Sequence, residues 1–269
     1  MQRPRLWLAA AAVASAWAAL YSVAQWLWLF ATAPIHDDVR LSYVAAEAGL
    51  RYGWSTIYDQ ATLRALSSSF PESTRFIDTT TTFASTPFLA WAFAPLTAFP
   101  EPVAYATWVL ISLAALVFAW WVTAPYTGLA KFTLLLLAVG LWPVLLTAYF
   151  GQPTLIVIGA VAAAWWLCKN ERPVYAGMAL AAAMALKPQA VLLVPIALLV
   201  SGRVRIFAAW AGSTAVLVTA AVLALGPSGL MGWWHAVRGI QGLSINTVFT
   251  LAGPLGAGPL TDALWIAQG

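Results

Sequence analysis

From Trp7 to Phe30 the chain runs 24 residues without one charged side chain. At 1.5 Å per residue such a helix reaches roughly 36 Å, more than the hydrocarbon core of about 30 Å needs. No soluble fold of this size has a use for that segment. A secretory signal carries a shorter apolar stretch of about 7–15 residues. Ala31-Thr32-Ala33-Pro34 resembles a weak cleavage site, yet the length predicts an uncleaved first transmembrane helix over 7–30. The run has company: apolar stretches follow at 83–99, 102–124, 131–149, 153–168, 173–186, 188–200 and 206–225, with a weak one after 247. Only 8 % of the 269 residues are charged and 62 % are apolar, against about 25 % and 45–50 % in a soluble domain. A water-soluble globule and a disordered chain are both excluded. The expected fold is all-α, a polytopic transmembrane helical bundle forming one domain over 1–269.

Where charge is this scarce, its placement is informative. Six of the nine acids, Asp37, Asp38, Glu47, Asp59, Glu72 and Asp78, fall in the one long polar stretch, 31–84. Within it Leu41, Val44, Ala45, Ala48 and Tyr52 recur at helical spacing, which predicts a short amphipathic helix that Gly53 stops. A second short helix is expected over Gln60–Ser67, and the Ser/Thr cluster from Ser67 to Thr82 reads as loop. The runs 173–186 and 188–200 are too short to span singly and read as a hairpin with Leu186-Lys187-Pro188 at its tip. The run 83–99, broken by Pro87 and Pro95, reads as re-entrant. Residues 85–225 therefore hold helices with short or re-entrant segments, and 226–269 read as a loop and an incomplete last segment.

Lys and Arg in short loops set orientation. With the N-terminus cytoplasmic and 83–99 returning to its own side, Arg3, Arg5, Lys131, Lys169, Arg172, Arg203 and Arg205 lie inside, 7 of the 13 bases. This arrangement puts the 31–84 loop, Gly151-Gln152, Lys187 and the loop 226–246 together on the non-cytoplasmic side. The net charge of +4 is scattered, with no basic stripe, so it reads as topology rather than as a nucleic-acid surface.

Three features carry candidate chemistry. His36-Asp37-Asp38-x-Arg40 follows the first helix directly. It is either a solvated loop start or a general base, since a carboxylate beside apolar surface and a second acid has a raised pKa. His36 and Arg40 would then balance charge or bind an anion; a metal site on these residues has weak support. Lys187, between two short apolar helices, either snorkels to the interface or supplies a cation for a phosphate or carboxylate headgroup. Gln152, at a helix start in Phe150-Gly151-Gln152-Pro153, is a plain turn residue or a polar group at the same place. His235 and Arg238, in Gly232-Trp233-Trp234-His235-Ala236-Val237-Arg238, suit an amphipathic interfacial segment.

Other chemistries fail on residue supply. The chain has no Walker-type loop, no G-x-S-x-G and no H-E-x-x-H. One cysteine, Cys168, excludes an internal disulfide, an iron–sulfur cluster and a Cys-rich zinc site. Two histidines, His36 and His235, argue against paired-histidine haem ligation.

The order of short motifs is also informative. Asp38-Val39-Arg40-Leu41-Ser42-Tyr43-Val44-Ala45-Ala46 is followed by Gly53 and Ile57-Tyr58-Asp59. Ser85-Thr86-Pro87-Phe88 and Ala94-Pro95-Leu96 come next, then Gly151-Gln152, Tyr175-Ala176-Gly177 and Leu186-Lys187-Pro188, with Arg203 and Arg205 after them. Over roughly residues 7–205 this resembles the GT-C membrane glycosyltransferases of family 87, which include polyprenol-phosphate-mannose-dependent α-mannosyltransferases. The resemblance implies a multi-pass enzyme of the plasma (inner) membrane. It would transfer a hexose such as mannose, with inversion, from a polyprenyl-phosphate donor to an extracytoplasmic lipid or glycan acceptor, without a separate cofactor or metal. It makes Asp38 the catalytic base, with Asp37 as its neighbour and alternative, and sets Tyr43, Tyr58, Gln152 and Lys187 around the cavity. His36, Arg40, His235 and Arg238 complete the expected substrate-binding set. Thr86 stands where the family carries an aromatic residue, and the chain is short for the family, so a short or truncated member is expected. The competing expectations are a membrane transporter or lipid-binding protein without chemistry, and an inactive truncated relative.

Overall fold

The computed structural model describes residues 6–32, 37–68 and 83–241. Among them every regular element is helical. The first helix, α1 (Leu6–Thr32), is followed by the amphipathic α2 (Asp37–Tyr52) and the short α3 (Gln60–Ser67). Gly53, at φ 97°, ends α2 in a conformation that a Cβ resists, and Asp59 caps α3 through Thr62. α4 (Pro87–Phe93) runs into a 3₁₀ turn, Ala94–Ala98. α5 (Glu101–Thr123) is the second long apolar helix.

Prolines start most of the remaining helices, where a missing N–H costs nothing. Pro143 begins α7 (Trp142–Phe150), Pro173 α9 (Pro173–Leu186), Pro188 α10 (Pro188–Val191) and Pro195 α11 (Val194–Val200). Between them lie α6 (Gly128–Gly140) and α8 (Thr154–Lys169), and α12 (Val204–Gln241) closes the described chain. α1, α5 and α12 are long and apolar enough to cross a membrane, and α6 with α7 makes a fourth candidate if that bent pair is one span. The fold is a helical membrane bundle.

Small residues let its helices approach closely, the usual device where lipid removes the hydrophobic drive between helices. A Cβ on Gly140 would sit 2.9 Å from that of Ala18, joining α6 to α1. One on Gly159 would meet Ala115, joining α8 to α5, and one on Gly177 would meet Ala209 and the α12 backbone. Polar links reinforce the contacts: Ser22 donates to the Gly140 carbonyl at 3.1 Å, and Trp26 Nε1 donates to Tyr105, whose hydroxyl donates to the Ala148 carbonyl at 3.0 Å.

Several expectations need adjustment. The run 131–149 is not one helix: the chain turns by 57° at Leu141, between α6 and α7. Pro143, at the helix-starting position, is the local cause. The loop expected from 226 is helix as far as Gln241, with Gly226, at φ 61°, and Pro227 making a kink rather than a stop. The segment 83–99 packs along α2 through both α4 and the 3₁₀ turn. The tip at Lys187 joins α9 to the returning helices α10 and α11: Val191 clusters with Ala183, and Leu198 with Ala176 and Leu180.

Candidate active site

α2 is where the polar stretch meets the bundle. Its periodic face buries Val39, Leu41, Val44, Ala45, Ala46 and Ala48 in the main core with Tyr58, Phe83, Phe93 and Trp108. Asp38 begins this packed stretch. Opposite it, α7 ends at Gly151, which sits at φ 73° in the left-handed region. The Gln152 N–H reaches back to the Thr147 carbonyl, closing the helix end. Gly151 is required for space as well: a Cβ there would lie 2.0 Å from Val39 Cγ2. Trp108 Nε1 donates to the Gly151 carbonyl at 2.7 Å and fixes the turn from the α5 side. The outcome is that Gln152 stands beside Asp38.

Gln152 then links two charges. Its amide donates a hydrogen bond to the Asp38 carboxylate. Its carbonyl oxygen accepts from Lys187 Nζ at 3.3 Å, and the same ammonium donates to Thr154 Oγ1 at 2.7 Å. Asp38, Gln152, Thr154 and Lys187 are all half-buried. Burial pushes the Asp38 carboxyl above the ordinary value for aspartate, and the Gln152 donor and Lys187 charge pull partly against it. Lys187 is held by the backbone, not by a flexible loop: its N–H bonds the Ala183 carbonyl and its carbonyl takes the Ala190 N–H. Thr86 Oγ1 bonds the Ala185 carbonyl, which fastens α4 to the end of α9. The residue that departs from the resemblance thus has its own structural use. α8 starts at Thr154, whose hydroxyl takes the Lys187 bond, so a helix N-terminus, a setting that favours anions, adjoins the same lysine.

The other expected site residues are placed differently. Arg40 lies on the far side of α2 from Asp38, two residues on, and pairs with Glu101 (Nε to Oε1 3.4 Å), both side chains only 7 % exposed. Tyr43 donates to the Phe99 carbonyl at 2.9 Å. Tyr58 donates to the Ser85 carbonyl at 2.8 Å and stacks on Phe83. Both tyrosines therefore fasten the 83–99 segment, one to α2 and the other to the turn before α3. His235 and Arg238 are exposed on the far half of α12, with the Arg238 guanidinium 4.4 Å from the Trp234 ring. His36 lies outside the described residues, as does the side chain of Asp37. Thr154 was not anticipated; the signal was the helix start itself, two positions after Gln152. Among the described residues no three His, Cys, Asp or Glu side chains gather to hold a metal ion.

Neither a curated protein nor a solved structure matches the chain. A sequence model of glycosyltransferase family 87 matches residues 83–269, more than two thirds of the length. The matched part includes Gln152, Thr154 and Lys187, and α2 with Asp38 precedes it. A membrane bundle with a half-buried acid and lysine joined through one amide, matched by that family over most of its length, belongs to glycosyltransferase family 87 and is a membrane glycosyltransferase.

Proposed function

We propose that the chain transfers a hexose, such as mannose, from a polyprenyl-phosphate donor to a lipid or glycan acceptor of the cell envelope, with inversion. The observation that carries this reading is the Asp38–Gln152–Lys187 chain of hydrogen bonds. It sets a proton acceptor and a phosphate partner a glutamine's length apart, as a displacement at an anomeric carbon requires. Asp38 takes the proton from the acceptor hydroxyl as its oxygen forms the new bond to C1. The bond from C1 to the phosphate oxygen breaks, and the electron pair leaves with the polyprenyl phosphate. Lys187 and the first N–H groups of α8 stabilise the charge on that leaving phosphate, the interaction that carries most of the rate in such a site. A phosphate leaves without being protonated, so no second acid is needed. The proton on Asp38 then passes to water.

The lipid tail of the donor would lie against the apolar outer faces of the bundle. The reading places the site on the non-cytoplasmic side of the plasma membrane, with the N-terminus cytoplasmic. It is supported by the positive-inside count, which gathers the bases of the short loops at the opposite end. Arg40, in its pair with Glu101, holds α2 in place rather than meeting the donor.

The test is transfer in vesicles containing the full chain, an acceptor extract and a radiolabelled polyprenyl-phosphate hexose. Labelled product from the wild type, lost in Asp38→Asn and in Lys187→Met, is expected. Transfer from a nucleotide sugar in place of the lipid donor overturns the donor class, and wild-type turnover by Asp38→Asn overturns the base.

A further inference from the structure

The end of α9 remote from Lys187 carries a second polar feature that the transfer reaction does not use. A groove of about 400 Å³ opens there, lined by Pro173, Gly202, Arg203, Val204, Arg205 and Ile206. It lies between the starts of α9 and α12, which the close approach of Gly177 to Ile206 and Trp210 holds side by side. Both helices begin here after the same kind of turn. The Arg172 N–H closes on the Leu167 carbonyl and the Arg203 N–H on the Leu198 carbonyl, with Glu171 and Gly202 at positive φ. Arg203 and Arg205 are exposed at the groove, and the Arg203 charge is felt at Cys168, near the end of α8. Arg172 and Lys169 are exposed on the adjoining turn, with Lys169 Nζ 4.0 Å from the Trp165 ring. One acid, Glu171, shares this turn. Four cations against one anion, in a chain with so few charges, form the strongest local excess among the described residues.

Trp165, Trp166, Tyr175 and Trp210 surround this end of the bundle, the residues that favour the water–lipid boundary. A groove between apolar helices, lined by guanidinium groups at that depth, meets a phosphate in forked geometry. The first N–H groups of α9 and α12 add partial positive charge to the same place. We infer that the Arg203–Arg205 groove binds a phosphate-bearing anion, supplied by the headgroup of an anionic phospholipid whose chains lie along α9 and α12. At about 21 Å, the length of the 14-residue α9, this site is distinct from the Asp38–Lys187 site. It stands whether or not the proposed donor is right.

Native mass spectrometry of the full chain in detergent reads the site directly. Phosphatidylglycerol, phosphatidylcholine and inorganic phosphate are the probes. Retention of phosphatidylglycerol at least tenfold above phosphatidylcholine is expected, falling about tenfold in Arg203→Gln/Arg205→Gln. Lys131→Gln, which removes a half-buried cation outside the groove, is expected to leave retention unchanged. The double variant touches exposed side chains only, and an unchanged elution profile checks that it is folded. Equal retention of the two lipids, or an unaffected double variant, overturns the inference. Displacement of the lipid by millimolar inorganic phosphate supports the anion site and overturns the lipid as its source.

Discussion

α1 and α2 are neighbours in the chain, and their composition and burial run in opposite directions. α1 is apolar over 27 residues, yet of its side chains only Ser15, Ala19 and Ser22 are buried by protein. α2 carries Asp37, Asp38, Arg40, Glu47 and Arg51 in 16 residues, yet buries Val39 through Ser42 and most of the next turn and a half. In water the ranking would be reversed. Here lipid is the partner of α1, which needs only a stripe of small residues to meet α6. α2 has to be packed by protein, because an amphipathic helix beside a membrane has no other place for its apolar face. Asp38 therefore sits on the helix whose surroundings are the most completely determined, which is where a reacting group is best held.

The largest effect belongs to that group. Asp38→Asn keeps the acceptor for the Gln152 amide and removes the proposed base, so transfer should fall by about 10²–10⁴. The sign for stability is the opposite. Burial raises the folded-state pKa of Asp38, so folding binds a proton. The group's contribution to stability is full below its unfolded pKa and is lost as pH rises through the folded one. At neutral pH the ionised form is held against a desolvation cost, and asparagine should raise the thermal midpoint. Wild-type transfer should decline as pH falls through the raised pKa, at a higher pH than an exposed aspartate would give. A variant that loses both activity and stability would place Asp38 with the packing of α2 and not with the chemistry.

The Arg40–Glu101 pair tests the packing itself. Glu101→Leu leaves a guanidinium buried without its carboxylate and should cost about 3–5 kcal/mol, read as a lower unfolding midpoint in detergent. Arg40→Met with Glu101→Leu removes both charges and should recover most of that loss. If the double variant is as damaged as the single, the pair is not the reason that α2 holds its place. Gly151→Ala comes next, at about 1–3 kcal/mol, because its Cβ drives against Val39 from a backbone at positive φ. Activity should drop further than stability, since the displaced residue is the one that carries Gln152 to Asp38.

What the sequence made readable follows from the range of each interaction. The bounds of α2 and α3 are local matters of periodicity and a stopping glycine, and Gln60–Ser67 was expected where it is found. The approach of Gln152 to Lys187 was framed by motif order and by topology, both properties of the whole chain. The Glu101 partner of Arg40 lies 61 positions away, on a helix that composition describes only as apolar, so no local pattern announces it. The break at Leu141 was hidden because hydrophobicity is continuous through it; Pro143 was the legible signal. Gly226-Pro227 misled in the other direction. A Gly-Pro pair stops a helix in water, but α12 resumes because Gly229 and Gly232 let its second half close on Ser55 and Tyr58.

The smallest effect comes from α1, and it decides how far the contrast with α2 extends. Ser22 donates to the Gly140 carbonyl at 3.1 Å. In lipid such a bond has no water to compete with it, which argues for a large effect. The unfolded reference in a membrane also finds partners, which argues for a small one, and measured values between helices average about 0.6 kcal/mol. Ser22→Ala should therefore lower stability by about that amount and leave transfer unchanged. Trp17→Leu, on the lipid-facing side of the same helix, should stay within about 0.5 kcal/mol of the wild type. A loss of several kcal/mol at Ser22 would make α1 a packed element like α2, held by its contact with α6 rather than by the bilayer.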